Sequence, residues 1–387
     1  MVTDERPLTL KEKHLKRIKK HKKRALRDSL ALLAICLTVI ASYQLFDHLA
    51  ADASDTDAPR EESELSISMV GDIMLGRYSG EVLNRQGTDY PFAHAKPIFD
   101  QTDIVTGNFE HPILIGDPSE YEDVRLDKDI TLHANLDAAN AVKQAGFTHV
   151  NLANNHMSDY GIVGMYDTLE TFNRLDIPTT GAGLNIDQAR EIHYEQVNGM
   201  TVATLGFNDA YMTNERRATA TQEGVVPMEP EYVIEDIKEA NENADFVIVH
   251  AHWGEEYDNT VHPRQRELAE AMAQAGADVI AGHHAHTLQP IEVIDNTVVI
   301  YGLGNFVFDQ GWSMTRETAV VQYDLYSDRA EVTVHPMYIE ESQPRPATNR
   351  YRQEKIFNSI STDFVFTDSF NDTWTRDEGR LVKTIER

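Results

Sequence analysis

Beyond residue 64 the chain alternates between two hydrophobic rhythms, and before it the residues separate into blocks of one character each. Leu65-Ser-Ile-Ser-Met-Val70 is β-branched and apolar, and opens the folded part as a strand. Short apolar runs at 103–107, 148–152, 201–206, 245–251, 277–281 and 297–302 predict further strands. Between them, 136–145, 162–174, 230–242 and 264–275 carry a helical period. In the last, Leu268, Ala271, Met272 and Ala275 recur on one face. Strands that take turns with helices predict an α/β domain with a largely covered sheet. The runs 318–326 and 331–338 follow one another without a helix and predict a hairpin. We set this domain at 65–338; residues 339–387 are a polar C-terminal extension with weak amphipathic pieces that the pattern does not place.

The blocks before residue 64 have a different logic. Residues 29–46 contain no charge, and eighteen helical residues reach roughly 27 Å, near the hydrocarbon thickness of a bilayer. The basic leader 1–28, with its run KEKHLKRIKKHKKRALR at 11–27, lies directly before them. Positive flanks stay on the cytoplasmic side, so the expectation is a single-pass anchor with the N-terminus inside and the main domain outside the cell membrane. Residues 47–64 are acidic and small, and read as a tether. A cleaved signal peptide is the alternative, since Ala51-Asp52-Ala53 has a small-x-small form. The long leader and long apolar run favour the retained anchor. The single cysteine, Cys36, lies inside the apolar run after Ile35 and reads as a plain membrane residue.

Charge sharpens this division. The leader holds eleven Lys/Arg against four Asp/Glu, and the remainder 24 against 59. So acidic a domain is repelled by nucleic acid and anionic lipid, which excludes general binding to either. Its charge suits solubility and also keeps a polyanionic product from sticking. With one cysteine there is no intrachain disulfide, so the domain relies on its core and on any bound metal.

Metal-capable side chains cluster just after apolar runs. Asp72 follows Ser68–Gly71; Asn108 and Glu110 follow Ile104–Gly107; Asn154, Asn155 and His156 follow Val150–Ala153. His250 and His252 close the run at 245–251, and His283, His284 and His286 follow Ala277–Gly282. The carboxyl ends of strands line the ligand crevice of α/β sheets, so five strand ends should deliver ligands to one sheet edge. His250/His252 and His284/His286 are spaced i, i+2, which places each pair on one face of an extended segment. Mixed Asp, Glu, Asn and His ligands without thiolates suit Mn²⁺, Zn²⁺ or Fe²⁺.

The ordered segments Gly71-Asp-Ile-Met-Leu-Gly-Arg77, Gly107-Asn-Phe-Glu110, Ala153-Asn-Asn-His156 with Asp159-Tyr-Gly161, His252-Trp-Gly-Glu-Glu-Tyr257, Gly282-His-His-Ala-His286 and Gly302-Leu-Gly-Asn-Phe-Val-Phe308 resemble the CapA-type family of poly-γ-glutamate capsule synthesis. That resemblance runs from about residue 65 to 338. It implies a calcineurin-like metallophosphoesterase fold, a two-sheet α/β sandwich behind one N-terminal transmembrane helix. It further implies a dinuclear site with Asp72 and His286 on one ion and Asn155, His252 and His284 on the other. Glu110 or Asn108 would bridge, and His156 would be the catalytic proton donor. Arg77 and Asn305 are the substrate-binding candidates. Two positions depart from the superfamily pattern: Met74 stands where a ligand His is normal, and Asn108 with Glu110 stands where a bridging Asp is normal.

Three functions fit these readings. The first is an accessory component of a membrane poly-γ-glutamate synthase, with the synthase subunits and the emerging polymer or a phosphorylated substrate as partners. The second is an extracytoplasmic metal-dependent phosphoesterase or other hydrolase. The third is a metal-containing binding protein without turnover.

Overall fold

The computed structural model of the chain describes residues 7–51, 62–210, 216–361 and 374–387. They divide into two compact units, Met1–Glu61 and Glu62–Arg387.

In the first unit Leu10–Ala51 is one helix of 42 residues, which contains both the basic run and the uncharged stretch 29–46. It starts at a reciprocal cap: the Thr9 amide donates to Glu12 Oε2 (2.8 Å) and the Glu12 amide to Thr9 Oγ1 (3.4 Å). Among the described residues no helix is long and apolar enough to cross a membrane. The tether expected at 47–64 falls mostly on 52–61, outside the described residues, as does part of the cleavage pattern.

The second unit has four layers. One sheet runs in the order Thr375–Asp377, Arg380–Glu386, Arg329–Glu340, Glu317–Leu325, Leu65–Ile73, Ile104–Phe109, Val150–Asn151, Thr179–Thr180. The other runs Ile291–Ile294, Thr297–Ile300, Val279–His283, Phe246–His252, Met200–Asn208, His193–Val197. In each sheet the strands that carry candidate ligands are parallel neighbours. The expected hairpin is present, with Glu317 opposite Tyr338 and Leu325 opposite Ala330. Residues 339–387, unplaced by pattern, add the strands Gln343–Pro346, Thr375–Asp377 and Arg380–Glu386 to the first sheet and the helix Arg350–Ser361 against it.

Alternation along the strands builds the layers. Leu65, Ile67 and Met69 point between the sheets, where they meet Ile248, Val279, Val321 and Tyr323. Val70 and Ile73 point outward into a second core with Ala138 and Val142 of the helix Leu136–Ala145 and Met165 and Phe172 of the helix Gly161–Arg174. The other sheet's outer face is covered by Pro230–Asn243 and Pro263–Ala275 through Ile237, Leu268 and Met272. Each fully buried Val, Leu, Ile, Phe or Met among these contributes about 1.5–3 kcal/mol. The helices of the pattern lie within a residue of their expected limits, whereas the run 148–152 is a strand only at Val150–Asn151.

Two glycines allow the backbones beside the carboxyl ends to close. A Cβ on Gly71 would lie 1.9 Å from the Gly304 carbonyl oxygen, and one on Gly282 would lie 2.0 Å from that of Tyr301. These approaches let the Asp72 amide donate to Gly304 O (2.9 Å) and Leu303 N to Gly282 O (2.9 Å), which ties the loop 302–305 across the ends of both sheets.

Candidate metal centre

The ligand candidates come from two sheets, which corrects the expectation of one sheet edge. Asp72, Glu110 and Asn155 leave the parallel strands of the first sheet; His252, His284 and His286 leave those of the second. Register sets their meeting: Asp72 is opposite Asn108, Asn108 opposite Asn151, and His252 opposite His283. All six candidates are buried.

Two ligand groups share one carboxylate. Glu110, His252 and His284 form one, and Asp72, Glu110 and His286 the other, each with its ligand atoms within 4.8 Å of one another. His252 Nε2 is 3.9 Å and His286 Nε2 3.8 Å from Glu110 Oε1, and His286 Nδ1 is 3.2 Å from Asp72 Oδ2. Asn155 joins the first group through its Oδ1, 3.1 Å from His252 Nε2.

Buried polar atoms without partners test whether these residues suit a cation. Both Glu110 carboxylate oxygens, Asn155 Nδ2 and His284 Nδ1 have no hydrogen-bond partner. Leaving such groups unpaired is costly, and a carboxylate far more so than an amide. Burial, then the charge of Asp72, pushes the Glu110 carboxyl well above the usual carboxylate range. Burial acts the same way on Asp72, but the facing imidazoles of His283 and His286 outweigh it and hold that carboxyl well below its usual range. Burial, then the neighbouring His286, pushes His284 down to about 3, and burial lowers His252 well below its ordinary value. Neutral imidazoles and an uncompensated carboxylate are the donor set a divalent cation takes, so the residues fit the group.

Hydrogen bonds separate Glu110 from Asn108. The Asn108 amide donates to Asp72 Oδ1 (2.8 Å), and its carbonyl accepts from Asn151 (3.0 Å) and Asn154 (3.1 Å). Its polar atoms are engaged, whereas those of Glu110 are free and face both groups.

His156 lies in the turn after Asn155, and its backbone amide donates to Asn154 Oδ1 (3.1 Å). Its Nδ1 is 2.7 Å from Asp159 Oδ2, which leaves Nε2 as the free nitrogen. Asp159 also accepts from Lys128 Nζ (2.6 Å) and the Leu132 amide (2.7 Å). Burial lowers the His156 pKa, and the Asp159 carboxylate partly opposes that.

The i, i+2 reading divides. His284 and His286 lie past the strand end, with φ of 86° and 56°, so they share no extended face and join different ligand groups. Non-glycine residues held there cost on the order of 1–3 kcal/mol each, strain that tends to collect at functional sites. His250 does share the inter-sheet face with His252, but it bonds Thr106 and His283 instead of joining either group.

Arg77 sits at φ 46° and pairs with Asp309 at 2.5 Å, with its guanidinium 5.8 Å from the Phe308 ring centre. Asn305 is buried and engaged by His286 Nδ1 (2.8 Å), Gln310 (2.9 Å) and the Thr315 carbonyl (3.1 Å), so in this structure it orients His286. Met74 is buried with Leu132 and Phe308 in a small apolar cluster beside His286. The pattern missed Lys128, 31 residues before its partner Asp159 and without any sequence signal; Asp159 itself stood in a quoted motif, three residues after His156. On the rim, Tyr257 lies 5.8 Å from His286 and 4.7 Å, edge-on, from the exposed Trp312.

Comparison with known proteins agrees with the motif order. The family described as "Bacterial capsule synthesis protein PGA_cap" matches residues 66–310. The chain is 44% identical over 366 residues to a capsule biosynthesis protein CapA of Bacillus anthracis, covering 92% of this chain and 87% of that one. It is 40% identical over 386 residues to the PGA biosynthesis protein CapA of Bacillus subtilis (strain 168), covering 98% and 97%. Among solved structures, a putative 5'-nucleotidase from Staphylococcus aureus in complex with alpha-ketoglutarate is similar at a TM-score of 0.44 and 16% identity, over 76% of this chain and 58% of that chain.

Proposed function

The chain belongs to the bacterial capsule synthesis protein family, and on that premise we propose that it is a membrane-anchored accessory component of poly-γ-glutamate synthesis or export. Its site would hold divalent metal outside the cell membrane and act on the emerging polymer or a phosphorylated intermediate. The observation that carries the metal reading is Glu110, whose two buried, unpaired oxygens face Asp72 and His286 on one side and His252 and His284 on the other. Support for the anchor is the uncharged stretch 29–46 behind a leader with eleven basic residues. The superfamily likeness and the partner synthase subunits rest on the same motif order.

Asp72, Glu110 and His286 would hold one ion, and Glu110, Asn155, His252 and His284 the second. Bound metal supplies Lewis acidity and a water activated near neutral pH. The chain's own residues supply the proton chemistry. Asp159 holds His156 by Nδ1, so Nε2 would take a proton from solvent water, the carboxylate would stabilise the imidazolium, and that proton would pass to the leaving-group oxygen as its bond to the substrate breaks. This pairing favours a second reading, a free-standing phosphoesterase or hydrolase. Without turnover, the same residues would make a metal-containing binding protein.

Strains separate these readings. Deletion of the gene is expected to abolish or shorten extracellular poly-γ-glutamate, and removal of residues 1–46 to do nearly the same. Full polymer from the anchorless chain would overturn the accessory reading in favour of the free hydrolase. In whole cells, added protease should digest the part after residue 50 while a tag before Lys11 survives; a soluble product that starts near Ser54 would overturn the retained anchor.

A further inference from the structure

A cavity of about 160 Å³ opens beside the candidate centre. Its wall includes Phe308, whose ring lies edge-on 5.0 Å from that of His286, and Gln310, which bonds Asn305 (2.9 Å) and the Tyr257 hydroxyl (3.0 Å). The space suits one amino-acid unit and is well below the roughly 300–1,000 Å³ that a drug-sized ligand needs.

Three charged side chains line it, Asp309, Arg316 and Glu341. Asp309 is taken by Arg77. Arg316 has no acid. Among the described residues of the second unit, every arginine except Arg316 and Arg345 has a nitrogen within 3.9 Å of a carboxylate oxygen. Arg316 stands bare although acids outnumber bases 59 to 24 beyond the leader. Its Nε donates to the Ile339 carbonyl (2.8 Å), and its guanidinium lies over the Tyr338 ring, 4.5 Å from the centre. The planar group is thereby fixed, and among the described residues neither Nη has a partner. Glu341 accepts from the Tyr78 hydroxyl (2.6 Å), a neutral donor that leaves its charge unmatched.

One unmatched cation and one unmatched anion therefore line the same cavity, and no ion pair joins them. A group that carries both charges is complementary to it. A guanidinium offers a carboxylate two parallel donors, and a carboxylate accepts from an ammonium. A lone oxyanion such as phosphate is repelled by Glu341, and a lone amine by Arg316. In a γ-linked glutamate chain each interior unit has spent its amine in an amide bond. Only the first unit keeps an α-ammonium beside its α-carboxylate.

We infer that the cavity bordered by Arg316 and Glu341 binds the zwitterionic amino end of a γ-linked glutamate chain, with the α-carboxylate on Arg316 and the α-ammonium on Glu341. The identity of the chain rests on the poly-γ-glutamate reading above; the preference for a zwitterion rests on the cavity alone. The centre then meets the polymer at its end and not along its length.

The test uses the full chain in detergent, freed of metal by chelation so that no bound ion attracts carboxylates, and follows binding of a short γ-linked glutamate oligomer by calorimetry. The oligomer with a free amine should bind, and its N-acetylated form about tenfold or more weaker, because one charge-assisted contact is lost. Arg316→Gln should weaken the free-amine oligomer by a similar factor. Glu341→Gln should bring the two oligomers to the same affinity, since the acid that tells them apart is gone. Equal binding of both oligomers by the unsubstituted protein overturns the inference, as does full affinity in Arg316→Gln or displacement of the oligomer by an equal concentration of inorganic phosphate. If Arg316→Gln does not fold, the acetylation comparison and Glu341→Gln decide. Free alanine bound through both residues, with no binding of the oligomer, would uphold the zwitterion site and sink the poly-γ-glutamate reading instead. Binding of none of these ligands overturns the inference.

Discussion

The two halves of the candidate centre share Glu110 but are built unequally. One half has two imidazoles, His252 and His284, with the Asn155 carbonyl beside them. The other has Asp72 and His286, and the nearby Met74 offers no imidazole, being packed on Leu132 and Phe308. The weaker half is also the more supported one. Asp72 takes hydrogen bonds from Asn108 and the His284 amide and faces His283 and His286, and His286 is held in turn by Asn305. A half with few ligands is compensated by fixing the ones it has, because an ordered carboxylate loses less entropy on binding.

The largest expected effect comes from the residue common to both halves. Glu110→Ala should remove most bound metal, from about two ions per chain toward none by elemental analysis, if the pair works as a two-metal site. Near-normal content in that variant would break the comparison at its centre. Next, the halves should fail separately. His284→Ala with Asn155→Ala should cost the better-liganded ion, while His94→Ala, at an exposed position outside every candidate ligand group, should leave metal content unchanged. Met74→His should raise occupancy of the weaker half and with it turnover of bis-p-nitrophenyl phosphate, without greater polymer output. Equal loss of both ions from either set of substitutions would show that the halves are not independent.

His156→Ala should reduce any phosphodiester turnover by about 10²–10⁴-fold while metal content and thermal stability stay near those of the parent. Normal poly-γ-glutamate yield and length from a strain with that variant would leave metal-dependent binding as the role of the centre. The smallest effect is in pH. Burial and Asp72 raise the pKa of Glu110, so the metal-free protein holds a proton there that binding must expel. Mn²⁺ affinity should therefore rise with pH up to that raised pKa and level off above it. Calorimetry in buffers of different ionisation enthalpy should detect the released proton; affinity independent of pH would exclude Glu110 as a ligand.

Much of this architecture was legible along the chain because it depends on local rules. The helix at 264–275 and the strand at 65–70 declare themselves by period alone, since one buried face repeats every 3.6 or 2 residues. The strand-end rule gathered Asp72, Glu110, Asn155, His252, His284 and His286 together with neighbours such as Asn108, His250 and His283, and only the motif resemblance picked the six from among them. Other features had no local signature. Lys128 and its partner Asp159 lie 31 residues apart with the helix Leu136–Ala145 and the strand Val150–Asn151 between them, and nothing in the sequence marks the pair. The strand Arg380–Glu386 is a polar, mixed segment whose place is set by its partner Arg329–Glu340. His250 and His252 are chemically identical at i and i+2, yet one enters the centre and the other bonds Thr106, 144 residues away.

The sequence by itself determined the order of elements, the acidic domain behind a basic leader, and the set of side chains able to hold a cation. Hydrophobic period, charge and residue type are properties of short stretches, and survive in any fold the chain could adopt. Only the tertiary structure decided that the ligands come from two sheets, that Glu110 and not Asn108 has free oxygens, and that His284 and His286 part company at a left-handed turn. Those outcomes depend on which partner reaches a buried polar atom first. In a dry interior each donor and acceptor must be matched, and the match is made by residues that only folding brings together.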